Sequence, residues 1–307
     1  MSRGAERAEA RRMITESWRH ELVEANGLRF HCVTAGEGPL VVLLHGFPQF
    51  WYAWRRQIPA LAAHFKVVAP DLRGYGDTDK PPRVADYRTG VLAADVAALV
   101  KAFGHKKAHI VGHDWGGGVA WTTALQHAQV VDRLAVLNCP HPLLFARALR
   151  SNFRQLRRSW YMFFFQLPAV PELVFRLWPR AVIERTFRDM TVRKDTFDDE
   201  DLRQFREELE KPGALTAAIN YYRAAFRNFS AMRDFERQPK TIAAPTILIW
   251  AENDAALGKE LTYGMEPLFS GSFRIHYVPN CSHWVNEEQP ELVNRLLIGF
   301  LTGRESA

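Results

Sequence analysis

Short apolar runs alternate with longer stretches of helical periodicity along most of the chain. The runs Arg29–Thr34, Leu40–Leu44, Lys66–Ala69, Ala108–Val111, Arg133–Asn138, Pro245–Trp250 and Phe273–Val278 predict strands. Several of them, Leu40–Leu44 above all, are apolar without a break, the pattern of strands covered on both faces. Helical patterns fall between them at Trp54–His64, Val91–Phe103, Gly117–His127 and Glu287–Leu301. Strand and helix taking turns predict an α/β fold, a mostly parallel sheet with helices on both sides.

The rhythm breaks after Pro140-His141-Pro142 and resumes at Pro245. The stretch between is rich in Arg, Phe and Leu at helical spacings, with breaks at Pro168, Pro171, Pro179 and Pro212-Gly213. The expected organisation is an N-terminal arm over 1–20, a core built from 21–142 and 239–307, and a helical lid over 143–238 inserted between two core strands. Such an insertion would sit over the carboxyl ends of the strands, where sheets of this kind bind ligands.

Composition narrows the class. No apolar run reaches the roughly 20 residues that cross a bilayer, and Met1–His20 has no apolar stretch of the secretory kind. Three cysteines, Cys32, Cys139 and Cys281, form neither a paired framework nor a metal-binding spacing, so reduced thiols and a cytoplasmic location are expected. The net charge of +6 comes from basic residues that read as dispersed, so neither nucleic acid nor a membrane is an expected partner. The densest group, Arg147, Arg150, Arg154, Arg157 and Arg158, reads most simply as the wet face of an amphipathic helix, with contact to a membrane or a partner as the alternative.

The chemistry concentrates at Gly112-His113-Asp114-Trp115-Gly116, between the run Ala108–Val111 and a helical pattern. Strand, tight glycine turn and helix in that order make a nucleophile elbow. Its central residue is Asp114 rather than a serine. A carboxylate suits displacement at alkyl carbon, leaving an ester that water must then cleave. A histidine can activate that water, and a second carboxylate can orient the histidine. Asp254 and His283 follow the last two expected strands, in the order nucleophile, acid, histidine of α/β-hydrolases. Glu252 is the rival orienting acid. An oxyanion forms when water attacks the ester, and the amides of Phe47 and Trp115 are the expected donors to it. The Phe47-Pro48 bond is a candidate for the cis form.

The stretches His45-Gly46-Phe47-Pro48, Asp71-Leu72-Arg73-Gly74-Tyr75-Gly76, Gly112 through Gly117, Trp250 through Asp254 and Cys281-Ser282-His283-Trp284 together resemble the α/β-hydrolase epoxide hydrolases with an aspartate nucleophile. That resemblance implies two lid tyrosines that hold and protonate the epoxide oxygen, and Tyr161 and Tyr222 match them; Tyr221, one residue off, would point elsewhere. It implies turnover of a small apolar epoxide to a vicinal diol, with no cofactor and no metal. His45, Pro48, Trp115 and Phe164 are the expected substrate contacts, and a homodimer is kept open. A haloalkane-type dehalogenase shares the Asp114-Trp115 pair but has no use for lid tyrosines. A non-catalytic binding protein on the same fold would have lost some of the reacting groups.

Overall fold

A computed structural model describes residues 18–227 and 240–304. Its described residues form an eight-stranded sheet: β1 (Arg19–Ala25), β2 (Leu28–Ala35), β3 (Leu40–Leu44), β4 (Lys66–Pro70), β5 (Ala108–His113), β6 (Val131–Leu137), β7 (Thr246–Ala251) and β8 (Phe273–Val278). The spatial order is β1-β2-β4-β3-β5-β6-β7-β8. β2 pairs antiparallel with both β1 and β4, and every other neighbouring pair is parallel. Each strand predicted from sequence is present. β1 was not predicted, because its burial alternates weakly and most of its side chains are exposed or half-buried at the sheet edge. The arm expected over 1–20 therefore ends earlier, since Arg19 and His20 belong to β1; its first 17 residues lie outside the described part.

Alternate side chains of β3 serve opposite faces of the sheet. Leu40, Val42 and Leu44 join α2 (Thr89–Ala102) and α3 (Trp115–Gln126) in one apolar cluster. Val41 and Leu43 join α1 (Ile58–Ala62) and α12 (Pro290–Thr302) in the other. All five β3 side chains are essentially removed from solvent. At roughly 1.5–3 kcal/mol for burying each Val or Leu side chain, two-sided burial explains why this strand reads as a continuous apolar run. The helix predicted over Trp54–His64 is shorter, since a 3-10 turn at Trp51–Trp54 precedes α1. The one predicted over Glu287–Leu301 is broken before Pro290 into α11 (Val285–Glu288) and α12.

Between β6 and β7 the described elements are helices joined by turns. They comprise α4 (Pro142–Ser151), α5 (Phe153–Arg158), α6 (Trp160–Phe164), α7 (Val170–Leu177), α8 (Pro179–Glu184), a π-helical turn at Arg185–Asp189, α9 (Asp199–Glu210) and α10 (Ala214–Arg227). The end of the expected lid, 228–238, falls outside the described residues. The arginine group occupies α4 and α5 rather than one helix, because the Asn152 side chain caps a new helix by accepting from the Gln155 amide. Phe165, Phe175, Ile183, Phe187 and Phe205 of this insertion belong to the same apolar cluster as α2 and α3.

Candidate active site

The residues singled out in the sequence leave the sheet at the carboxyl ends of its parallel strands. His45 follows β3, Asp114 follows β5, Asp254 lies three residues past β7, and His283 lies beyond β8. Parallel pairing of β3, β5, β6, β7 and β8 brings these ends to one edge.

Asp114 sits at φ 52°, ψ −121°, a conformation that costs an ordinary side chain about 1–3 kcal/mol. The turn closes because Gly116 carries no side chain: a Cβ there would overlap the Leu44 carbonyl. Gly46 matters for the same reason, since its Cβ would strike the Asp114 side chain. Phe47 can then approach, and its amide donates to Asp114 Oδ1 at 2.8 Å. The Phe47-Pro48 bond is cis. Trp115 is the first residue of α3, so its amide lies in the helix's first turn beside the carboxylate. The Asp114 side chain keeps 18% of its surface exposed, whereas that of Asp254 is fully covered.

His283 stands between the two acids. Its Nδ1 lies 2.7 Å from Asp254 Oδ2, and its Nε2 lies 3.4 Å from Asp114 Oδ2. Asp254 is also held by the amides of Ala256 and Leu257, at 2.8 and 2.9 Å. Glu252, the rival, is exposed and paired with Lys259. Burial opposes a charge on His283, but Asp254 and Asp114 outweigh it and push the imidazole up to about 10. Burial likewise opposes ionisation of both acids, yet hydrogen bonding and charge from His283 hold them below the usual carboxylate range. The resting site is thus an imidazolium between two carboxylates.

Two residues without a role in the sequence reading complete this arrangement. Asn138, directly after β6, donates its amide to Asp254 Oδ2 at 3.0 Å and accepts from the Ala251 amide at 2.9 Å. His113 donates from Nε2 to the His283 carbonyl at 2.9 Å; burial, then the charge on His283, lower its own pKa to about 4 and keep it neutral. The available signal was position, since both end strands at the same edge.

The insertion brings its tyrosines to this edge. The Tyr222 ring lies 5.0 Å from Trp115 and 5.3 Å from Phe47, and 5.9 Å from the Tyr161 ring. Burial raises both phenols well above their ordinary range, and the charge of Asp114 adds to this. Both therefore hold their protons. The Trp115 and Tyr222 rings meet edge to face, at 90° to one another. Tyr221 does point elsewhere: its hydroxyl donates to the Arg73 carbonyl at 2.8 Å, and its side chain is fully buried.

The expected substrate contacts divide. Trp115 lies beside Asp114 and Tyr222, while Phe164 is half-buried against Phe165 and Trp160. Pro48 is buried. His45 is fully buried and uses both ring nitrogens on backbone, Nδ1 toward the Gly46 carbonyl at 3.0 Å and Nε2 accepting from the Leu72 amide at 2.9 Å. That geometry makes His45 a brace for the Phe47 loop rather than a substrate contact. Among the described residues, no three His, Cys, Asp or Glu side chains are grouped to hold a metal ion.

The family described as alpha/beta hydrolase fold matches residues 39–290. Epoxide hydrolase 3 of Xenopus tropicalis is 37% identical over 285 residues, covering 90% of this chain and 75% of that protein. Epoxide hydrolase A of Mycobacterium tuberculosis is 33% identical over 318 residues, covering 92% and 97%. Among solved structures, a Bacillus megaterium epoxide hydrolase in complex with an inhibitor superposes with a TM-score of 0.84 at 30% identity, over 92% of this chain and 100% of that one.

Proposed function

This chain belongs to the α/β-hydrolase family, as a hydrolase of the epoxide hydrolase group acting on ether bonds, and from that premise we propose that it opens apolar epoxides through an ester on Asp114. The observation that carries the mechanism is the Asp114 carboxylate itself. One oxygen is held by the Phe47 amide, the other faces His283, and two protonated phenols stand beside it.

In the first step Asp114 Oδ2 bonds to an epoxide carbon as the carbon–oxygen bond breaks. Tyr161 or Tyr222 gives its proton to the departing oxygen, since an alkoxide leaves poorly without an acid. The resulting phenolate recovers its proton from the imidazolium of His283, through water. Esterification has just removed the charge on Asp114, one of the two carboxylates that held that proton in place. His283 thereby becomes a neutral base only once there is an ester to hydrolyse.

In the second step His283, oriented by Asp254, takes a proton from water as the oxygen attacks the Asp114 carbonyl carbon. The negative charge grows on Oδ1, where the Phe47 amide already points and the Trp115 amide joins it. Collapse expels the alkoxide, which takes the second water proton and leaves as a vicinal diol. Asp114 is again a carboxylate and His283 again an imidazolium.

The aromatic side chains around Tyr222, namely Phe47, Trp115 and Phe165, suit an apolar substrate. The helical insertion acts as the lid, because it supplies both acids. Two phenols that keep their protons favour the epoxide over a dehalogenase reaction, because a departing halide needs no proton. The test is a single turnover in heavy-oxygen water with enzyme in excess. The first diol is expected to carry unlabelled oxygen from Asp114, and label in that first diol overturns the ester mechanism.

A further inference from the structure

The chain's charge is not spread evenly once acids are counted with bases. Residues 141–180 hold seven arginines and one glutamate, a net +6 that equals the charge of the whole protein. The single acid, Glu172, is buried and bound by Arg223. Arg147, Arg154, Arg157 and Arg176 are exposed and make no ion pair with any described residue.

The same segment exposes large apolar side chains. Trp160, Phe163, Leu167, Leu173, Leu177 and Trp178 keep between 45% and 64% of their surface in solvent. Their spacing follows helical turns. Trp160 and Phe163 are three apart on α6, and Leu173 and Leu177 are four apart on α7, opposite the buried Pro171 and Phe175. α4, α5 and α6 are in contact in succession, the Phe163 ring of α6 lies 5.2 Å from that of Phe226 on α10, and α7 packs on α10, so the arginines and the apolar side chains belong to connected helices of the insertion. Exposed apolar groupings of this kind mark interaction surfaces.

We propose that this face of the insertion docks on an anionic lipid bilayer surface. Arginines with interleaved Trp, Phe and Leu are what an interfacial segment needs: cations for lipid headgroups, and apolar and indole groups for the headgroup–acyl boundary. A second copy of the chain fits poorly, because a two-fold contact would set the same arginines against one another. Nucleic acid accounts for the arginines but gives Leu173, Leu177 and Trp178 nothing to bury against. No helix among the described residues is long and apolar enough to cross a membrane, so the attachment is peripheral. Tyr161 shares α6 with Trp160 and Phe163, and docking carries that helix to the bilayer, where epoxides dissolved in lipid become its supply. This supply rests on the reaction proposed above; the docking does not.

The experiment is co-sedimentation of the full chain with phosphatidylcholine vesicles, with and without phosphatidylserine. Binding is expected only with phosphatidylserine, and it should weaken as salt is raised. The pairs Arg154→Glu with Arg157→Glu, and Leu173→Ser with Leu177→Ser, are each expected to lose roughly tenfold or more of that binding. Circular dichroism and turnover of a water-soluble epoxide should stay unchanged in both. Absence of binding by the folded wild-type chain overturns the proposal. So does binding to duplex DNA in its place, or a dimer in solution that these substitutions dissolve without any vesicle binding. Vesicle binding without epoxide turnover removes the reaction and leaves the docking; turnover of the soluble epoxide without vesicle binding does the reverse.

Discussion

In the proposed reaction the sheet edge and the helical insertion both contribute reacting groups, but they hold them by different means. At the edge, a tight turn and hydrogen bonds do the work. Asp114 is fixed by a turn that only Gly116 allows, and His283 by the His113 contact to its own carbonyl. Asp254 is fixed by two amides and by Asn138. In the insertion, side chains do the work: Tyr222 is placed by rings of Phe47, Trp115 and Phe165, and Tyr161 by Phe165 and Tyr222. Covalent chemistry demands a nucleophile, water and base in one fixed line, whereas proton donation to an oxygen tolerates either of two phenols. Geometry is tightest where a bond to carbon forms.

The sharpest way to break this comparison is Asp114→Ala, expected to lower turnover by about 10⁴-fold or more because nothing at the edge substitutes for it. Near-normal diol formation in a steady-state assay refutes that. His283→Gln separates the half-reactions. Attack persists while hydrolysis stalls, so the intact mass of the protein should rise by the mass of the epoxide, and an unchanged mass argues against an ester. Tyr161→Phe with Tyr222→Phe is expected to cost about 10²–10⁴-fold on epoxides, the range of acid–base catalysis, with each single variant losing less. Equal losses on epoxides and alkyl halides reduce both tyrosines to packing.

Stability offers two finer contrasts. Gly116→Ala forces a methyl group against the Leu44 carbonyl and should destabilise by about 1–3 kcal/mol. Leu177→Ala on the exposed face of α7 should stay within about 0.5 kcal/mol. Denaturant titration of both variants measures the difference. The pH dependence follows from His283. Its folded pKa of about 10 lies above the ordinary value of 6.5, so the folded state binds the proton more tightly than the unfolded chain does. Its contribution is complete below about 6.5 and is lost as pH rises through about 10. A flat wild-type melting temperature across that window, indistinguishable from His283→Gln, contradicts the paired imidazolium.

What was legible in the sequence follows the same division. Leu40–Leu44 and Ala108–Val111 announce buried parallel strands because two-sided burial leaves no polar position, and the glycines around Asp114 announce a turn no larger residue fits. β1 was hidden by its solvated edge. In the insertion the helical character was readable but the boundaries were not. Breaks at Asn152 and at Ala169, with φ 62°, depend on capping and on tertiary contacts rather than on a period. Asn138 and His113 went unseen because their partners are backbone and carboxylate groups distant in sequence. The arginines were visible as a group, but the near-absence of acids around them changes what the group means.

Arg223, the neighbour of Tyr222, is buried inside the insertion. It grips both oxygens of Glu172 and donates to the carbonyls of Phe165 and Leu167, just after the helix that bears Tyr161. The helix of Tyr222 and the turn after the helix of Tyr161 are thereby tied together inside the insertion. In the proposed reaction the two proton donors thus share one brace, and cutting it at Arg223 is expected to disturb both at once.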